Sequence, residues 1–143
     1  MFVIDASLAM AWCFEDEATD QTDAVLDRLR TESAIVPALW SLEVANVLLV
    51  AERRGRIREA EVTRFVALLG QLPIEIRDDV PRVTDLVGLG RTHQLSAYDA
   101  AYLHLAERAG VPLATLDAGL RRAAAAAGVP LLLGSAGSEP DTA

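Results

Sequence analysis

The sequence predicts an α/β domain, a three-layer sandwich in which helices flank a parallel five-stranded sheet. Three observations predict it. Short apolar segments rich in Val, Ile and Leu recur along the chain, stretches with helical periodicity separate them, and Gly or Pro closes most of those stretches. Strands that alternate with helices need crossover connections, which makes the sheet parallel and covers both of its faces.

The elements follow in order. "FVID", Phe2 to Asp5, is a short buried strand, and "AIVP", Ala34 to Pro37, is a second. "IEIR" (Ile74 to Arg77), "PLATLD" (Pro112 to Asp117) and "PLLLG" (Pro130 to Gly134) are the third, fourth and fifth. Thr19 to Arg30 places Val25, Leu26 and Leu29 on one helical face. Helices over Ser41 to Arg54 and Arg58 to Leu72 are separated by Gly55, and Pro73 stops the second. Val83 to Thr92, Ala97 to Ala109 and Leu120 to Ala127 complete the set, the last two ending at Gly110 and Gly128.

The chain of 143 residues suits one domain with a real core, here residues 1–133. The remainder, "GSAGSEPDTA", is rich in Gly, Ser and Pro and reads as a disordered tail. With 52% hydrophobic and 24% charged residues, the composition is that of a globular protein rather than a disordered one. No run of about 18 apolar residues offers a membrane span. "MFVIDASLAM" lacks the basic start of a signal peptide, so a cytoplasmic location is the expectation. One cysteine, Cys13, excludes an internal disulfide and a Cys-based zinc cage, and reads as a small hydrophobe beside Trp12. The net charge of −8 argues against a broad basic surface for nucleic acid, while leaving room for local patches and bound cations.

Ligands of open parallel sheets bind beyond the C-terminal ends of the strands, and two acids fall there: Asp5 and Asp117. Each also has a purely structural reading, Asp117 as the N-cap of the helix that follows and Asp5 or Ser7 as the cap of the helix entering "LAMAW". Asp99 completes an S-x-x-D capping box with Ser96. Glu43 stands out, because "ALWSLEVANVLLVA" holds only Ser41, Glu43 and Asn46 as polar residues. A helix apolar nearly all round is buried, and a carboxylate there needs an arginine partner or a cation. Glu43 and Asn46 are three apart and share a face. Four carboxylates converging on one cleft would repel one another, by about 4 kcal/mol per close pair at an effective dielectric of about 20. Magnesium or manganese relieves that repulsion, since hard cations take carboxylate oxygens and retain waters.

At this point the chain resembles a known family. "FVIDASLAMAW", "PALWSLEVANVLL" and "LSAYDAAYLHLAERAGVPLATLDAGL", in this order and spacing, are similar to the PIN-domain ribonucleases, and most of all to the VapC toxins of type II toxin–antitoxin systems. The resemblance runs from Phe2 to about Leu133. It implies that Asp5, Glu43, Asp99 and Asp117 are the catalytic, metal-binding acids for Mg2+ or Mn2+. It implies supporting roles for Ser7, Asn46 and Thr115. The implied reaction is endonucleolytic cleavage of single-stranded RNA by an activated water, leaving a 5′-phosphate and a 3′-hydroxyl. The implied partners are a second copy of the chain in a homodimer, with larger toxin–antitoxin assemblies, and a cognate VapB antitoxin whose C-terminal segment covers the acidic groove. Ala118 departs from the charged or polar residue many relatives carry there.

Arginine supplies all 13 basic residues. "AERRGRIREAE" carries Arg53, Arg54, Arg56 and Arg58 at a helix–helix turn, either as solvated helix ends or as phosphate contacts. Arg121 and Arg122 lie one helical turn after Asp117 and are candidates for substrate phosphate. His93 and His104 lack metal-ligand spacing and read as structural, and Tyr98 and Tyr102, which flank Asp99, read as core or rim in preference to base-stacking. Glu15 to Asp23 reads as a solvated acidic face. A phosphoacceptor receiver domain also gathers acids at parallel strand ends but, by analogy with its family, wants a lysine that this chain lacks. A catalytically idle PIN-like module that binds RNA or a partner protein is the other rival. Trp40 and Phe65 are candidate anchors for a partner docked between the helices Ser41 to Arg54 and Arg58 to Leu72.

Overall fold

The computed structural model describes residues 1–133, so the expected tail lies outside the described residues. The elements are β1 (Phe2–Ile4), α1 (Ala6–Cys13), a 3-10 turn at Glu15–Glu17, α2 (Asp20–Arg28), β2 (Ala34–Pro37) and α3 (Leu39–Arg53). After them come α4 (Glu59–Leu69), β3 (Ile74–Arg77), α5 (Val83–His93), α6 (Ala97–Ala109), β4 (Leu113–Ala114) and α7 (Ala118–Ala127).

The sheet is parallel with order β3-β2-β1-β4. Connections from β1 to β2 to β3 step one way and the return to β4 steps the other. Right-handed crossovers therefore put the two sets of helices on opposite faces. The packing agrees: α1 lies against α2 and α3, and α3 against α4, while α6 lies against α5 and α7 and rests on β1 and β2. Phe2, Val3, Ile4, Ile35, Val36 and Leu113 are fully buried between these layers. A strand covered on both faces has no polar side to present, which is why these segments read as unbroken apolar runs.

Four strands form where five were expected among the described residues. The fifth segment is reduced to one parallel bridge, Leu113 with Leu131, held by Leu113 N donating to Pro130 O at 2.9 Å and Leu132 N to Leu113 O at 3.1 Å. β4 also stops at Ala114, because the next polar groups turn into the crevice described below. Gly110 and Gly128 end α6 and α7 with φ of +67° and +78°, a region where a side chain would be strained. Among the described residues, no helix is long and apolar enough to cross a membrane.

Candidate active site at the ends of strands β1 and β4

The strand order reverses between β1 and β4, and open α/β sheets bind ligands at such a switch point. Asp5 follows β1 there. It caps α1, accepting Ser7 N at 3.1 Å and Ser7 Oγ at 2.5 Å on Oδ1, while Thr115 Oγ1 donates to Oδ2 at 2.5 Å. Both hydroxyls are themselves held. Leu116 N donates to Ser7 Oγ at 2.9 Å, and Asp117 N donates to Thr115 Oγ1 at 3.0 Å. Two relays thus run from the backbone just beyond β4 through a hydroxyl to one oxygen each of Asp5. Burial still outweighs these donors, and holds the Asp5 carboxyl up at about 6.

Asp117 caps α7, its Oδ2 accepting Leu120 N at 2.8 Å. The capping reading is therefore correct for both Asp5 and Asp117, yet it does not exhaust either: each keeps lone pairs facing the crevice end of the sheet. Ser96 caps α6 by accepting Asp99 N at 3.1 Å, but the reciprocal half of the expected box is missing. Among the described residues the Asp99 carboxylate accepts no hydrogen bond, and it is pushed up by partial burial and by the charges of Asp117 and Glu43. Asp99 in turn raises Asp5. Asp99 is thus within electrostatic reach of each of the other three acids drawn from the sequence.

Glu43 departs from its expected setting. α3 is not buried all round: Leu42 is 75% exposed and Leu49 46%, and only Trp40, Val44, Leu48 and Ala51 are buried. Nor is Glu43 paired with an arginine. Tyr102, buried in the core, donates its hydroxyl to Glu43 Oε1 at 2.5 Å. Burial and that carboxylate push the phenol well above its usual range, so it stays a donor. Asn46 lies exposed one turn beyond Glu43. Sequence reading placed Tyr102 in core or rim and missed this bond. The available signal was its spacing, three residues after Asp99 and therefore on the same face of α6.

The candidate phosphate contacts separate. Arg53 and Arg54 lie 10 and 11 residues beyond Glu43 on α3 and its cap, about 15 Å along the axis, away from the acids. Arg121 turns inward, its Nη1 donating to Thr115 O at 3.2 Å. Arg122 is exposed, and its Nη2 and Asp117 Oδ2 both border the space beside Gly119, 3.7 and 3.3 Å from where a Cβ would sit. Arg56 is occupied elsewhere, lying over the Phe14 ring at 3.8 Å and bridging Asp16 and Glu17. His104 packs 3.9 Å from Asp85, away from the acids.

Among the described residues, no three His, Cys, Asp or Glu side chains stand at the spacing of a formed metal-ligand set. The donor chemistry nonetheless fits a hard divalent cation. All four groups are oxygen donors, and two of them, Asp5 and Asp99, are held up by burial and by the charge of neighbouring acids, which a cation would offset.

Known proteins resemble this chain in sequence and in fold. Residues 2–126 match the PIN domain family. The chain is 31% identical over 117 residues to ribonuclease VapC3 of Pyrobaculum aerophilum, covering 80% of this chain and 88% of that one. It is 34% identical over 120 residues to ribonuclease VapC12 of Mycobacterium tuberculosis, covering 84% and 89%. Its fold is similar to the crystal structure of PAE2754 from Pyrobaculum aerophilum, with a TM-score of 0.69 at 22% identity over 92% of this chain and 90% of that one. With a family match over most of its length and ribonuclease relatives above 30% identity, the chain belongs to the PIN domain family, among the VapC ribonucleases.

Proposed function

We propose that this ribonuclease cleaves single-stranded RNA at the β1–β4 crevice, as the toxin of a type II toxin–antitoxin pair. The observation that carries the reading is the double hydroxyl clamp on Asp5, set among the charges of Glu43, Asp99 and Asp117. Mere capping of α1 needs one acceptor and one backbone donor. Two hydroxyl relays fix the plane of the Asp5 carboxylate, which matters only if its remaining lone pairs have a ligand to meet.

Asp5, Glu43, Asp99 and Asp117 would hold Mg2+ or Mn2+. When bound, such a cation supplies a water acidic enough to act as nucleophile and offsets charge on a phosphoryl oxygen. The remaining roles belong to the chain. Ser7 and Thr115 orient Asp5, and Arg122, exposed beside Asp117, meets the incoming phosphate. The Tyr98 ring, exposed next to Asp99, offers a face to a neighbouring base.

A VapB-type antitoxin and a second copy of the chain are the proposed protein partners, and the cytoplasm, where RNA is met, is the proposed location. Leu42 and Leu49 are two turns apart on α3 and open to solvent, an apolar stripe suited to a contact between copies. Leu42→Arg should then lower the sedimenting mass.

The deciding experiment is hydrolysis of a defined single-stranded RNA by the wild type and by Asp5→Asn, with Mg2+ or with chelator. Cleavage lost in both the variant and the chelator supports the reading. Binding without cleavage under every metal tested leaves the idle module.

A further inference from the structure

Tyr102 is an unusual residue to find where it is. Its ring belongs to the core, 1% exposed, on the helix that rests on β1 and β2. For packing alone a phenylalanine would serve better, since a buried hydroxyl is costly unless it finds a partner. The Tyr102 hydroxyl finds one partner among the described residues, Glu43 Oε1, 59 positions away on α3. Glu43 Oε2 is left without a protein partner among the described residues. Glutamate has three side-chain torsions to fix before it can hold a ligand, and a rigid donor on one oxygen fixes them in advance while leaving the other free. Asp99 precedes Tyr102 by three residues on the same helix face. One helix therefore sets both Asp99 and, through Tyr102, the carboxylate of Glu43.

We infer that Tyr102 is a positioning residue for the reaction, holding Glu43 by Oε1 so that Oε2 and the Asp99 carboxylate face a common divalent cation. This rests on the proposed role of Glu43 as a ligand. Outer partners of metal-binding carboxylates commonly contribute 10- to 100-fold in affinity or activity.

The test is a double-mutant cycle on the full chain with Tyr102→Phe, Glu43→Gln and the pair. Mn2+ binding is followed by electron paramagnetic resonance and calorimetry, folding by circular dichroism, and RNA cleavage as kcat and KM separately. Tyr102→Phe is expected to weaken Mn2+ binding about 10-fold or more and to lower kcat, with KM for RNA unchanged. In the Glu43→Gln background it is expected to add nothing, because its effect runs through Glu43. Unchanged Mn2+ affinity in Tyr102→Phe, with a clear loss in Glu43→Gln, overturns the inference and spares the ligand reading. Unchanged affinity in Glu43→Gln itself removes that reading and this inference with it. Should Tyr102→Phe fail to fold, the wild type crystallised with Mn2+ decides. Tyr102 Oη within about 3.2 Å of Glu43 in the loaded state supports the inference, and separation of the two overturns it.

Discussion

Thr115 joins the two strand ends that make the crevice: its hydroxyl donates to Asp5 Oδ2 at 2.5 Å and accepts from Asp117 N at 3.0 Å. Thr115 is fully buried, so neither bond can be replaced by bulk water. Thr115→Val keeps the shape and removes both, leaving the Asp117 amide without its acceptor and Asp5 Oδ2 without its donor. The expected cost is roughly 1–3 kcal/mol of stability in urea unfolding. Cleavage should fall about 10- to 100-fold beyond what the lost stability explains. Thr115→Ser should recover most of both. A valine variant that cleaves like the wild type would remove Thr115 from the site.

Asp5 also predicts how the metal-free protein responds to pH. Its carboxyl titrates at about 6 in the fold against 3.8 for the ordinary group. Between those values the native state binds more protons than the unfolded chain, so stability falls as pH rises through that window. The gap corresponds to at most about 3 kcal/mol at 1.36 per unit. Asp99 is shifted in the same direction. In chelator, the melting temperature should therefore be higher near pH 4.5 than near pH 7, after comparison with Asp5→Asn, which should be flatter. Adding Mg2+ at pH 7 should restore stability to the wild type and not to the variant, because the cation binds only the native cluster. A wild-type profile as flat as that of the variant would show that Asp5 is solvated rather than buried.

The fold was legible because buried strands and amphipathic helices leave periodic traces. "FVI", "AIVP" and "IEIR" form strands, and Gly110 and Gly128 end helices as read. The fifth strand was not legible. "PLLLG" is as apolar as its neighbours, and nothing local says that only Leu131 pairs. Asp5 and Asp117 stand out by position, since each lies where a strand end meets a helix, while Asp99 shows only through Ser96, the cap three residues before it. The all-round burial that singles out Glu43 in the sequence does not hold, because α3 exposes Leu42 and Leu49. What holds Glu43 is a long-range bond to Tyr102, and contacts of that kind leave no periodic signal in the sequence.

Charge repulsion gives Asp99 a measurable signature. Its carboxylate has no donor among the described residues and is pushed up by partial burial and, beyond that, by the charges of Asp117 and Glu43. Asp99→Asn removes one of the repelling charges while keeping a residue that Ser96 can cap through the backbone. The group is only half-buried, so the gain in metal-free stability should be about 0.5–1 kcal/mol. Cleavage should be lost at the same time. Thermal melting in chelator and RNA hydrolysis in Mg2+ measure the two. Full activity in metal-saturated Asp99→Asn would reject its assignment, whatever the melting curve shows.

The partner-binding expectation is altered by α4. Trp40 and Phe65, the expected anchors for a partner docked between two helices, line two separate cavities. Trp40 lines a cavity of about 310 Å³ between α3, α4 and β3. Phe65 lines another of about 340 Å³ between α1, α2 and α4, with Trp12 and Leu26. Val66, 52% exposed, borders the first, and Leu68, 54% exposed, borders the second. A partner segment that straddles α4 would bury both side chains, and each anchor in such a groove is worth more than about 1 kcal/mol. Val66→Glu and Leu68→Glu should therefore each weaken the antitoxin complex about 10-fold or more while leaving cleavage of free RNA unchanged. Titration of the neighbouring-gene product against each variant measures the loss. A loss confined to one variant restricts docking to one groove, and wild-type affinity in both would move the partner off α4 altogether.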